Sequence, residues 1–254
     1  MDTFLLALQL FTRLPIHKEI EVSDERLIHG IPLWPFVGLI VGGIDSVVYL
    51  FLTLLFPKTV AVLLTLLCQI CVTGGFHLDG LCDTVDAIYS ARDRQRMLEI
   101  MKDSKIGTFG VVAAIFDIGL RFFVLEELTY PLPAFLLGPI VGKCVQGLLM
   151  YRAKYPRESG LGASYVGKIR LGTMLSSLFI GLMLIDVGLF FFSGTWQILL
   201  AAPLVIVGIA GLYRFYIERK IDGMTGDTLG AGNEVCEIVF LLLLLAGQNF
   251  SWMV

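Results

Sequence analysis

The sequence predicts an all-α, polytopic membrane protein with about seven transmembrane helices. Its composition, its long apolar runs and the positions of its Lys and Arg residues all point to this class. Of the 254 residues, 56% are hydrophobic and only 16% are charged, and the mean hydropathy is +0.81. A soluble chain of this size cannot bury so much apolar surface. The net charge of −3 also gives no reason to expect a nucleic-acid partner.

The apolar runs are long enough to cross a lipid bilayer. A hydrocarbon core of about 30 Å needs roughly 20 apolar residues per helix. Suitable runs lie near residues 33–56, 58–77, 107–125, 132–151, 172–192, 196–214 and 236–253. The first fifteen residues are too short for a span and predict an interfacial or re-entrant helix. Without a visible domain boundary or repeat, residues 1–254 read as one membrane domain.

The Lys and Arg residues predict the orientation of this domain. All except Lys58, Arg121 and Lys143 lie in the amino-terminal segment, in the long connections or at the adjoining span ends. The long connections are 78–106, 152–171 and 215–235, and they alternate with short ones at 57–58, 126–131 and 193–195. The positive-inside rule then places the amino terminus and the long connections in the cytoplasm. We expect a multi-pass protein of the cell (inner) membrane with a cytoplasmic active site, and homo-oligomer formation stays open.

An acidic motif follows the second apolar run: GGFHLDGLCDTVDA, residues 74–87. On one helix, at 100° per residue, Asp79, Asp83 and Asp86 fall within an arc of about 60°. Like charges this close repel one another, so a cation is expected among them. Oxygen-only ligands predict Mg²⁺ or Mn²⁺. His77 projects roughly opposite and is left out of this set.

The glycines of the motif predict a thin helix, that is, one with little side-chain volume around the acids. Gly74, Gly75 and Gly80 would allow close approach by a ligand or a neighbouring helix. The alternative interpretation is a solvated acidic loop start together with tight helix packing.

A second polar cluster, DGMTGDTLGAGNEVCE, occupies residues 222–237. Its Gly- and Thr-rich start favours exposed backbone N–H groups that bind phosphate. Asn233, Glu234 and Glu237 stand at the start of the last span, where they would complete a metal shell or hold a polar head group. The alternative is a turn followed by a capped helix, in which Asn233 or Glu234 serves the free N–H groups.

Basic residues lie between the two clusters. Arg92, Lys102 and Lys105 precede the third span, and KDSKIGTFG, which includes Thr108, predicts a phosphate site at a helix amino terminus. A solvated cytoplasmic helix is the alternative for the arginines. The basic connection at 152–170 is interpreted mainly as an orientation signal.

Charged residues within the spans are costly and need partners. Asp117 and Arg121 are four residues apart, which predicts that they pair rather than take part in catalysis.

Carboxylates, a hard cation and basic residues at a membrane face indicate phosphoryl chemistry. Metal-bound carboxylates neutralise a diphosphate, and a free carboxylate accepts a proton from an attacking hydroxyl. The residues alone therefore predict a metal-dependent membrane transferase that cleaves a nucleotide diphosphate. The rival from another class is a secondary transporter, in which the acids couple a cation near the bilayer midplane.

Four stretches of the sequence, QLFTRLP (9–15), GGFHLDGLCDTVDA, RMLEIMKDSKIGTFGV (96–111) and GMTGDTLGAGNEVCE (223–237), closely resemble the cobalamin synthase family. Its members are the adenosylcobinamide-GDP ribazoletransferases. The departures are small: Cys82 and Ala87 replace an expected Ala and Gly. A CDP-alcohol phosphotransferase is the weaker enzyme interpretation, because no Ala-Arg follows Asp79 at the required spacing.

The resemblance implies the reaction and the site. Adenosylcobinamide-GDP and α-ribazole, or its 5′-phosphate, would give adenosylcobalamin or its phosphate and release GMP. Asp86 would be the catalytic base, with Asp83 as the alternative. Mg²⁺ or Mn²⁺ would bind to Asp79, Asp83, Asp86, Asp227 and Glu237. The substrate would contact Lys102, Lys105, Thr108, Asn233, Glu234 and Arg92.

Overall fold

The computed structural model describes residues 1–192 and 196–250, and every regular element within them is helical. The α-helices are α1 (Asp2–Phe11), α2 (Asp24–Gly30), α3 (Trp34–Thr53), α4 (Lys58–Thr73), α5 (Phe76–Tyr89), α6 (Arg94–Ile100), α7 (Thr108–Glu127), α8 (Leu132–Met150), α9 (Leu171–Phe192), α10 (Trp196–Ile221) and α11 (Gly226–Phe250). Short 3₁₀ turns occupy Ile31–Leu33 and Leu161–Ser164.

The helix lengths confirm a polytopic membrane protein. Five described segments are long and apolar enough to cross a bilayer: Asp24–Thr53, Thr108–Glu127, Leu132–Met150, Leu171–Phe191 and Gly226–Gln248. A sixth results if the bent pair α4 and α5 is one span. The predicted span at 196–214 coincides with α10. The predicted connection at 193–195 and the end of the last predicted span, 251–253, lie outside the described residues.

Helix α8 lies at the centre of the described bundle, where most of its residues are buried and where α3, α9 and α11 pack around it. Glycines allow the closest of these approaches. A methyl group added to Gly38 or Gly42 of α3 would overlap the α8 backbone near Pro139 or Leu136. Lipid chains are as apolar as the helices, so van der Waals contact between such surfaces holds membrane helices together.

Helix α11 begins ten residues before the predicted span at 236–253. The connection predicted at 215–235 is therefore too long, because α10 continues to Ile221 and only residues 222–225 separate the two helices. The backbone N–H of Thr225 donates to Thr228 Oγ1 (2.8 Å), and the N–H of Thr228 donates to Thr225 Oγ1 (3.2 Å). These reciprocal bonds satisfy free N–H groups at the start of the helix. The helix is therefore capped, but by Thr225 and Thr228 and not by Asn233 or Glu234, as the alternative expected.

The long connections meet at one end of the bundle. Asp222 accepts hydrogen bonds from Arg94 (3.1 Å) and from Lys154 (3.3 Å). Lys168 forms an ion pair with Asp24 at 2.9 Å. Residues from all three long connections and from the amino-terminal segment thus contribute to these contacts, which create a polar end above the apolar helices.

The contact between α3 and α8 gives a stability prediction. Gly42→Ala should lower the free energy of unfolding by about 1–3 kcal/mol, because the added methyl group overlaps a backbone that cannot easily move. Gly43→Ala is the matched control, since a Cβ at Gly43 meets nothing within 4 Å. Thermal unfolding in detergent should show a lower Tm for Gly42→Ala only. Equal Tm values for the two variants would contradict the packing.

Candidate active site

The acidic motif lies on a separate helix rather than on a continuation of the second span. Helix α4 ends at Thr73, and α5 leaves it at 88°. Gly74 (φ 66°) and Gly75 (φ 65°) between them both adopt the left-handed conformation, which glycine tolerates best. The prediction that these two glycines thin one continuous helix is wrong. If α4 crosses the bilayer, the bend turns α5 along its surface.

Helix α5 brings its carboxylates to the amino terminus of α11. A Cβ at Gly80 would lie 2.8 Å from the backbone oxygen of Asp227, so the prediction that this glycine permits close helix approach is confirmed. Asp79 and Asp227 line one cavity of about 150 Å³, which lies between α5, α11 and the connection after α8. One carboxylate from each of the two sequence motifs therefore faces the same space.

Asp83 lies one helical turn beyond Asp79 and is half-buried. Burial, together with the negative charges of Asp79, Asp227 and Asp86, raises the pKa of Asp83 to about 7, although the charge of Arg157 acts to lower it. These groups lie close enough for their charges to act on one carboxyl. The site therefore carries an excess of negative charge, and Asp83 can hold or release a proton near neutral pH.

The candidate ligands are carboxylate oxygens, which hard cations prefer. They also repel one another in a partly buried site, which favours a cation between them. Within residues 1–192 and 196–250, however, no three His, Cys, Asp or Glu side chains are already arranged around a common metal position. Asp227 instead pairs with Arg157 at 2.6 Å. Metal binding would require these carboxylates to change rotamer and Asp227 to leave Arg157.

Asp79, Asp83 and Asp86 form an acidic row on α5. Asp86 lies at the far end of this row and caps α7. Its carboxylate accepts hydrogen bonds from the backbone N–H groups of Gly107 (2.6 Å) and Gly110 (2.8 Å). The N–H groups predicted to bind phosphate at this helix end are thus already bonded to Asp86. Helix-end N–H groups favour an anion there, and the anion is supplied by the protein.

The predicted substrate contacts that precede or begin α7 lie on the protein surface. Arg92, Lys102, Lys105 and Thr108 are all exposed. Lys105 lines a second cavity, of about 250 Å³, together with Arg96 and Asp86. Glu99, which pairs with Arg96 at 2.7 Å, and Asp103 line this cavity too, so it contains charges of both signs.

The remaining residues of the second motif belong to a buried ion network. Arg121 pairs with Asp117 at 2.9 Å, which confirms the predicted pair, and with Glu237 at 2.7 Å. It also pairs with Glu234. Asn233 accepts from Lys143 at 3.0 Å. The structure thus gives the Glu237 carboxylate a cationic partner inside the protein, and its metal role stays a prediction.

This network surrounds a third cavity, of about 50 Å³, which Asn233, Glu234, Glu237 and His77 line. His77 also lines the cavity that contains Asp79 and Asp227, which we call the acidic cavity. The two cavities are therefore neighbours. His77 Nε2 lies 3.4 Å from Lys143 Nζ and 3.0 Å from Gln146 Nε2, so its ring contacts α8. His77 and Lys143 are polar neighbours of the site that sequence reasoning left out. The costly charge of Lys143 within a span was the signal for it.

The fold and site define a polytopic membrane protein with carboxylates from two sequence motifs in one polar cavity. Residues 3–245 match the model of the cobalamin-5-phosphate synthase family, and the chain belongs to that family. It is therefore a transferase of cobalamin biosynthesis.

Relatives named adenosylcobinamide-GDP ribazoletransferase align over nearly their full length. The protein of Clostridium novyi (strain NT) is 43% identical over 97% of both chains. That of Klebsiella pneumoniae (strain 342) is 41% identical over 96% of this chain and all of its own. That of Listeria monocytogenes serotype 4b is 36% identical, covering 97% of this chain and 99% of its own. No solved structure gives a significant match.

The cap on α7 gives a prediction for Asp86. Asp86→Ala should lower the free energy of unfolding by about 1–2 kcal/mol, because two backbone N–H groups lose their acceptor. Thermal unfolding in detergent checks this. Asp103→Ala in the neighbouring loop is the control, since Asp103 is exposed and accepts only one longer bond in the described contacts, from the Lys105 N–H at 3.2 Å. Unchanged stability of Asp86→Ala would contradict the capping role.

Proposed function

We propose that this transferase joins the adenosylcobinamide phosphate moiety of adenosylcobinamide-GDP to α-ribazole, or to α-ribazole 5′-phosphate, and releases GMP. The product is adenosylcobalamin or its 5′-phosphate. Family membership and the names of the relatives support the substrates. The observation that carries the proposal is that Asp79 and Asp227, from motifs about 150 residues apart, line one cavity. A diphosphate needs charge-handling groups on more than one side, and this arrangement supplies them.

In the proposed reaction, the 3′-hydroxyl of the ribose attacks the phosphorus attached to cobinamide. A new P–O bond forms, the bond from that phosphorus to the bridging oxygen breaks, and GMP leaves with the electron pair. The hydroxyl proton passes to a carboxylate. Asp83 is better placed to accept it than Asp86, because both oxygens of Asp86 accept backbone N–H groups. Asp83 is half-buried, and its pKa of about 7 suits a base that works near neutral pH.

We assign the metal to Asp79 and Asp227, which line one cavity, and this leaves Asp83 free to act as the base. Mg²⁺, or Mn²⁺, would supply charge neutralisation at the leaving phosphate when bound. The fit rests on carboxylate donors and on the excess negative charge around Asp83. Asp86 and Glu237 remain weaker candidates, because the first caps α7 and the second pairs with Arg121. Lys105 lines the cavity next to Asp86 and stays the proposed phosphate contact there, whereas Arg96 pairs with Glu99.

We also propose that the site faces the cytoplasm from the cell (inner) membrane. The long connections carry most of the Lys and Arg residues and meet at the polar end, which fits the positive-inside rule. Adenosylcobinamide-GDP and α-ribazole, with or without its 5′-phosphate, are polar compounds that would reach this face from water.

A cation-coupled transporter is the second candidate, and the break between α4 and α5 favours it. Broken helices with polar residues at the break are typical of transporter ion sites. GMP release from adenosylcobinamide-GDP by the purified protein in detergent separates the two functions. Release without a sealed compartment excludes obligatory transport. A folded protein that releases no GMP when α-ribazole and Mg²⁺ are present contradicts the transferase proposal.

Asp83→Asn provides the main mutational test. The substitution keeps the size of the side chain but removes the proton acceptor and a negative charge, so GMP release should fall at least about 100-fold. The Tm should not fall, since Asp83 has repulsive neighbours. Glu158→Gln is the control, because Glu158 is exposed on a nearby connection. Wild-type turnover by Asp83→Asn would remove this residue from the mechanism.

Chelation tests the cation requirement. EDTA should abolish GMP release, and added Mg²⁺ or Mn²⁺ should restore it, because the carboxylates alone repel the diphosphate. Full turnover in excess EDTA would overturn the metal assignment but leave the substrate assignment in place.

A further inference from the structure

Arg157 enters the acidic cavity from the connection between α8 and α9. Its side chain is only 9% exposed, and its guanidinium pairs with Asp227 at 2.6 Å. Together with Asp79 and Asp227 it lines the cavity of about 150 Å³. The charge of Arg157 also acts on Asp83. It is therefore a cation that directly faces the acidic row.

The pairing with Asp227 and a hydrogen bond to the Tyr155 side chain leave one donor of the guanidinium unused. The Nε–H of Arg157 is buried and has no hydrogen-bond partner among the described residues. An unpaired buried donor costs about 1–3 kcal/mol. A guanidinium presents a planar fork of donors that matches a phosphate in two-point contact. A buried guanidinium with an unused donor in a carboxylate-lined cavity is a site prepared for a further anion.

The backbone around Arg157 is held against the amino terminus of α11. The N–H of Met224 donates to Lys154 O at 2.8 Å, and Tyr155 donates through its hydroxyl to Ser159 O at 3.3 Å. A Cβ at Gly162 would lie 2.8 Å from the Tyr155 ring and 3.3 Å from the Gly226 nitrogen. Because these contacts fix the backbone, the Arg157 side chain can change partner without moving the connection.

We infer that Arg157 exchanges partners during substrate binding: it pairs with Asp227 in the ligand-free protein and binds the diphosphate of the substrate once a divalent cation takes Asp227. This inference rests on the proposed function for the identity of the diphosphate. Arg157 acts as the internal counter-cation of Asp227, so the acidic row is partly neutralised before the metal arrives. Once released, its fork of donors is directed at the incoming phosphates.

A purely structural ion pair predicts a different result. If Arg157 only tethers the connection to α11, its removal should loosen the cavity and weaken the binding of cation and phosphate alike. If it exchanges partners, its removal frees Asp227 for the cation but deprives the phosphates of a donor. The two roles therefore predict opposite changes in the affinity for the cation.

The test measures binding to the purified full-length protein in detergent. Mn²⁺ affinity is measured by electron paramagnetic resonance of the free ion, and affinity for inorganic pyrophosphate by calorimetry at saturating Mn²⁺. Arg157→Ala should bind Mn²⁺ about tenfold more tightly and pyrophosphate about tenfold more weakly. Arg157→Lys should bind pyrophosphate with intermediate affinity, because it keeps the charge and loses the fork. Arg170→Ala, an exposed residue of the same connection, should match the wild type in both measurements.

Weaker binding of both ligands, or no change in either, would overturn the exchange, and so would a wild-type protein that binds no Mn²⁺. Neither measurement needs turnover, so the inference and the proposed function fail separately. Opposite shifts in a protein that releases no GMP would leave the exchange in place and refute the transferase reaction. Normal GMP release without these opposite shifts would support the transferase reaction and refute the exchange of partners.

Discussion

The close contact between α5 and α11 is the constraint on which the site depends. Gly80 lies so near the backbone of Asp227 that a Cβ there would come within 2.8 Å of its carbonyl oxygen. Gly230 also lies close to His77, with a Cβ distance of 3.3 Å to its backbone. Larger residues would separate the helices and their carboxylates. In a bilayer, small residues of this kind are what allow two helices to approach and stay together.

The ion network around Arg121 fixes the position of α11 in a second way. Asp117 of α7 and Glu234 and Glu237 of α11 all pair with this one guanidinium. Removing one partner from such a buried set typically costs about 3–5 kcal/mol, because a charge is left unpaired. The network therefore resists sliding of α11 against α7. Asp227 lies ten residues before Glu237 on the same helix, about 15 Å along its axis, so the network also sets where Asp227 meets α5.

Local patterns in the sequence predicted most of the fold and part of the site. Apolar runs located the long helices, and the spacing of Asp117 and Arg121 predicted their pair. The turn at Gly74 escaped prediction, because glycine is compatible both with a thin helix and with a left-handed break. Asp86 was predicted to be a base and a metal ligand because of its charge. Its role as a cap depends on Gly107 and Gly110, which lie more than twenty residues away in the sequence. Arg157 was missed for a similar reason, since only tertiary packing brings a loop residue seventy positions from Asp227 into the same cavity.

The central claim is that α5 and α11 contribute carboxylates to one functional site. A double-mutant cycle between Asp83→Asn and Asp227→Asn, measured as the rate of GMP release, tests it most directly. Residues that act on one metal and one diphosphate should be strongly non-additive, so the double variant should be about as slow as the slower single variant. Rate losses that multiply, as expected for two independent sites, would contradict the account.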